Sequence, residues 1–158
     1  PPPLRQARAS VVRTMINRKD VWHPRYGVNP GYGINMQDGF QDTFTTAAMG
    51  ALEIGAMRWA RGLIQHQFDN YIRDDGTIYY RGEEVPQAAR MLTILALYHG
   101  YAGADAAADA FVLSHFGRAK AIADRLVMRR ALSLHFPASD PRHGMIPGDD
   151  EADNYNRL

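Results

Sequence analysis

A chain of 158 residues, 46% hydrophobic and 22% charged, is long enough for one packed core and short for two. Its 18 basic and 17 acidic side chains leave a formal net charge of +1, so the overall balance points neither to nucleic acid nor to a membrane surface. The absence of cysteine excludes disulfides, thiolate zinc sites and a cysteine nucleophile. No apolar run reaches the length of a bilayer span, and no signal peptide is visible.

Residues 1–35 read as an extended lead-in, rich in Pro, Gly and Asn and closing on Gly27-Val28-Asn29-Pro30-Gly31-Tyr32-Gly33. Arg5, Arg8, Arg13, Arg18, Lys19 and Arg25 fall here, the composition of a solvated linker or docking strand. Phe40, Phe44, Ala48 and Leu52 then recur at helical spacing and predict a first helix near 38–53, with Asp38 in position to cap it. Gly55 offers a break. Beyond it Trp59, Leu63, Ile64, Phe68, Tyr71 and Ile72 form one stripe, with Arg58, Arg61, Gln65 and Asp69 off it, which predicts an amphipathic second helix.

The period changes at Asp74-Asp75-Gly76-Thr77-Ile78-Tyr79-Tyr80-Arg81-Gly82, a turn feeding a short β segment, so a small β-hairpin is expected between helices. From Pro86 the segment through Tyr98 is apolar nearly all round, predicting an inner helix covered on most sides. After a break at 100–105, Ala119, Ile122, Ala123, Leu126, Val127, Ala131 and Leu134 mark one face of a fourth, outer helix, with Lys120, Asp124, Arg125 and Arg129 on the other. Helices alternating between inner and outer positions make an all-α fold of helical hairpins.

The most concentrated chemistry stands near residue 150. Asp149, Asp150, Glu151 and Asp153 follow Pro141, Gly144, Pro147 and Gly148, which keep the acids out of regular structure and on a loop. Surface acids or an incidental Ca²⁺ contact through Asp149, Glu151 and Asp153 are the bland readings, although the spacing is not that of an EF-hand and no metal is expected. The six histidines never pair at zinc-helix spacing. No phosphate loop, dinucleotide glycine fingerprint or serine elbow occurs.

The succession of Asn35-Met36-Gln37-Asp38-Gly39-Phe40-Gln41-Asp42-Thr43-Phe44, Asp74-Asp75-Gly76-Thr77-Ile78-Tyr79-Tyr80, Tyr98-His99-Gly100-Tyr101 and Asp140-Pro141-Arg142-His143-Gly144-Met145-Ile146-Pro147-Gly148 resembles the six-hairpin glycosidase superfamily. That group of glucoamylases, trehalases, processing α-glucosidases and disaccharide phosphorylases shares an (α/α) toroid of helical hairpins. The resemblance implies a partial barrel over residues 36–158, no cofactor, and an oligo- or polysaccharide partner. It further implies that Asp153, Glu151 and Asp150 supply general acid and base chemistry on a glycosidic bond, and that Asp38, Gln37, Asp42 and Asn154 contact the sugar; apart from the resemblance, Tyr80, with Tyr79, Trp22, Tyr32 and Phe40, is a candidate apolar platform for a sugar ring. Many relatives carry an Arg-Asp pair where this chain reads Gln37-Asp38, so the acid is present and the arginine is not.

A complete barrel of twelve helices needs well over twice this length. The expectation is therefore a part of a barrel, completed by the rest of the toroid or by further copies of the chain. An extracellular or periplasmic setting is the expected location. A non-catalytic helical module that binds glycans or builds an assembly is the rival reading, and a disaccharide phosphorylase the nearer variant.

Overall fold

The computed structural model of the chain describes residues 3–7, 41–78 and 85–147, with the backbone alone described over 41–46. Within the described residues the regular structure is helical: a turn of helix over 3–7, then α1 (Gln41–Glu53), α2 (Met57–Asn70), α3 (Val85–Ala102) and α4 (Ala106–Ala131). No helix among them is long and apolar enough to cross a membrane. Two compact units divide the chain, residues 1–66 and 67–158. The lead-in boundary expected at residue 35 lies outside the described residues.

In the first unit, α1 ends because Gly55 adopts a positive φ of 74°, which lets its own N–H reach the Leu52 carbonyl and the Ala56 N–H reach Ala51. This closing pattern satisfies carbonyls that the helix end leaves without partners. Among the described residues of the unit, the buried apolar side chains are Ala48, Ala51 and Leu52 on α1 and Trp59, Ala60, Leu63 and Ile64 on α2. They repeat at three- and four-residue intervals, the period of a helix with one covered face.

In the second unit, the last turn of α2 leads to Ile72, which pairs with Ile78 in a single antiparallel bridge around Asp74-Asp75-Gly76. The expected hairpin is thus, in its described part, one bridge, centred earlier than a strand beginning at Thr77 implies; Tyr79 to Glu84 lie outside the described residues. Asp75 shapes the turn by accepting from the Thr77 N–H at 2.9 Å and the Thr77 hydroxyl at 2.7 Å. Gly76, with φ 81°, passes so close to α4 that a Cβ here would stand 2.4 Å from the Ala121 carbonyl carbon. Only glycine supplies both that dihedral and that space.

α3 and α4 pack as a hairpin about the short 103–105 turn. Asp105 caps α4, its carboxylate accepting from the N–H groups of Ala107 at 2.8 Å and Ala108 at 3.2 Å. Ring contacts knit the core: Tyr98 meets Phe111 edge-on at 5.2 Å, and His115 stacks on Phe68 at 4.3 Å while meeting Phe111 edge-on at 4.7 Å. His115 is therefore a core histidine. Arg118, beside it, donates to the carbonyls of Phe68 and Ile72 and so caps the end of α2.

Two expectations need correction. α3 is not covered on most sides: Gln87, Ala88, Met91, Ile94, Leu95 and Tyr98 form one buried stripe, whereas Ala89, Arg90, Thr93, Ala96 and His99 are exposed. Alanines made the opposite face look apolar, but they expose little area and leave it open at small cost. On α4 the face begun by Ala119 and Ile122 does not continue through Val127, Ala131 and Leu134, which are exposed. Eight residues turn a helix by about 80° beyond two full turns, so Val127 has rotated off the line of Ala119.

Candidate functional site: the loop leading to the acidic run

Past Ala131 the chain makes successive three-residue turns, with N–H to carbonyl bonds from Leu132 to Arg129, Phe136 to Ser133, Asp140 to Pro137, His143 to Asp140 and Met145 to Arg142. Proline at 137 and 141 prevents a continuing helix, and Gly144 turns the chain at φ 72° against the Arg130 guanidinium. Side chains then tie the end of this loop back to its start. Ser133, fully buried, has its hydroxyl 2.6 Å from the Met145 carbonyl and 2.9 Å from that of Arg130. Arg129 donates to the Pro147 carbonyl at 3.2 Å. The chain thus reaches Pro147, two residues before Asp149, held to the C-terminal turns of α4.

The outer surface of the loop carries the polar groups. Arg142 grips Asp140 through two side-chain bonds, Nε at 3.0 Å and Nη2 at 2.8 Å, and through its N–H at 2.8 Å. Its guanidinium also lies 3.8 Å over the Phe136 ring, so charge pairing and cation–π contact act on one group. Those hydrogen bonds from Arg142 hold the Asp140 carboxyl at about 2, below the ordinary carboxylate value. His143 Nδ1 stands 2.6 Å from the Phe136 carbonyl and His135 Nδ1 2.7 Å from that of Leu132. A carbonyl can only accept, so both rings carry the proton on Nδ1 and present Nε2 outward.

Of the residues that the sequence singles out, Asp42 lies in the first turn of α1, where the backbone alone is described. Gln37, Asp38, Tyr80, Asp150, Glu151, Asp153 and Asn154 lie outside the described residues. The described structure therefore brings none of these groups together. What it adds is the set of groups that shape the loop preceding the acidic run in the chain: Arg129, Ser133, Phe136 and the Asp140–Arg142 pair. For the last of these a sequence signal exists, since Asp-Pro-Arg is a turn in which an aspartate meets its own chain two residues on. Ser133 carries no such signal, because its partner carbonyl belongs to Met145.

At the far end of α4, His99 Nε2 and Asp109 pair at 2.9 Å across the α3–α4 turn, both about half exposed. Among the described residues no group of three or more His, Asp or Glu could hold a metal ion. Comparison of the chain with protein-family models, with curated proteins and with solved structures finds no match.

Proposed function

We propose that the chain is a carbohydrate-active protein, and that Asp150, Glu151 and Asp153 act as general acid and base of a glycoside hydrolase. The observation that carries this reading is the tied loop: Ser133 and Arg129 hold Met145 and Pro147 to the end of α4, so the chain is anchored two residues before Asp149 in sequence. Catalytic groups perform best when rigid elements support them. Hydrolysis of a glycosidic bond needs one protonated carboxyl to serve the leaving oxygen and one ionised carboxylate to activate water or to attack. Several acids in one short run make that division natural, since mutual repulsion raises the pKa of the most crowded member. The order of motifs along the sequence and the helical build agree with the six-hairpin resemblance.

A non-catalytic assembly module is the second reading, favoured by the large apolar side chains exposed along α4. The two separate in one experiment. The chain and its Asp150→Asn, Glu151→Gln and Asp153→Asn variants are assayed for binding and hydrolysis of a panel of α- and β-linked oligosaccharides. The hydrolase reading expects turnover that falls about 10²–10⁴-fold in at least one variant with an unchanged circular dichroism spectrum. Sugar binding without turnover supports a non-catalytic module. The absence of both binding and turnover defeats the carbohydrate reading.

A further inference from the structure

The buried side of α4 is Ala108, Phe111, His115, Ala119 and Ile122. On the opposite side Leu113 is 70% exposed, Phe116 57%, Val127 70% and Met128 59%. Between these apolar groups Lys120 and Asp124 form an ion pair one turn apart, both exposed. At 3.6 residues per turn, Leu113 and Ala131 point along the centre of this outer face and Lys120 and Asp124 lie about 20° to either side of it. Phe116 and Val127 share one flank and Gly117 and Met128 the other, each roughly 40–60° from the centre. Each of these pairs is disposed about the level of Ile122.

We propose that this face docks a second copy of the chain, the two α4 helices running antiparallel about a two-fold axis at the level of Ile122. The proposal rests on α4 alone and is independent of the carbohydrate reading. An antiparallel two-fold brings each residue against the residue on the same flank at the mirrored level. Phe116 then meets the second copy's Val127, and Leu113 the second copy's Ala131. Met128 lies over the second copy's Gly117, a mid-helix glycine with open space above it. Lys120 comes level with the second copy's Asp124, and the exchange is reciprocal, so two inter-chain Lys–Asp pairs stand at the centre. A parallel pair would set lysine beside lysine and aspartate beside aspartate, which selects the antiparallel arrangement. Residues 113–131 extend about 27 Å, a stripe smaller than the roughly 800 Å² per partner of a standard interface, so the dimer forms at micromolar concentration.

The full chain is measured by sedimentation velocity across the micromolar range, with two charge variants. Lys120→Asp makes the centre of the face acidic and Asp124→Lys makes it basic. The expected result is a concentration-dependent dimer of the parent chain, an affinity loss of tenfold or more in each variant alone, and recovery when the two are mixed. Because the chain contains no cysteine, Gly117→Cys and Met128→Cys variants report the direction: oxidation should link the two when mixed and neither when alone. A chain that stays monomeric throughout overturns the proposal, whether another segment of the chain or a different protein covers the face. So does a dimer indifferent to both charge variants, or cross-linking of either cysteine variant with itself.

Discussion

At Gly76 two independent demands fall on one residue, a left-handed φ of 81° and a Cβ position 2.4 Å from the α4 backbone. Gly76→Ala is expected to cost about 2–4 kcal/mol, from the strained dihedral and the forced retreat of the turn from Ala121. Urea unfolding measures it, and a loss under about 1 kcal/mol would mean that the turn does not lean on α4. Gln67 is a different case. It is 1% exposed, yet neither its amide nitrogen nor its carbonyl oxygen has a hydrogen-bond partner among the described residues. Burying unpaired polar atoms costs stability, so Gln67→Met, similar in length and apolar, should raise stability by about 1 kcal/mol. A lower midpoint in the same unfolding assay would show that the amide is satisfied after all.

Elements show where sequence periodicity is a sound guide and where it stops. The break at Gly55 was legible and that at 100–105 in part: the helix runs on through Gly100 to Ala102 and stops only at Gly103, whose positive φ, followed by the Asp105 cap, makes the turn. The second stripe was legible as far as Phe68 because Trp59, Leu63, Ile64 and Phe68 are large and aligned. Which face of α4 stays bare was not legible, since Val127 and Leu126 are equally apolar as letters and differ only by rotation. Asp105→Ala should cost about 1 kcal/mol through loss of the α4 cap. In the 132–147 loop the determinant is ionisation. The Asp140 carboxyl, at about 2, lies below its unfolded value near 3.8 because Arg142 bonds it, so its support of the loop is complete above about pH 4. That support is lost as pH falls through about 2. Carboxyl carbon shifts followed by NMR check the value, and Arg142→Leu should raise it toward the ordinary range, the backbone N–H at 142 still lowering it; an Asp140 already titrating near 3.8 in the parent chain would remove the pair from the loop's architecture.

For the molecule as a whole, composition narrows the classes of partner to be tested before any motif does. The near balance of charge, the acidic run at 149–153 and the helical class were legible directly, whereas the way helices arrange around one another depends on contacts between distant segments that no local period encodes. The candidate site shared that fate. Its acids announced themselves by density, while the groups that hold the preceding 132–147 loop, Ser133 and Arg129, act through backbone carbonyls twelve and eighteen residues away. The balance of charge nevertheless has a measurable consequence. A protein of net charge +1 binding a neutral sugar releases no counterions, whereas one neutralising six to ten phosphates loses about 10³–10⁵ in affinity between 50 and 200 mM salt. Oligosaccharide affinity, measured by calorimetry at those two salt concentrations, should therefore change by less than about twofold. A steep fall would identify a polyanion as the true ligand class and turn attention from the acids at 149–153 to the cations at 5–25.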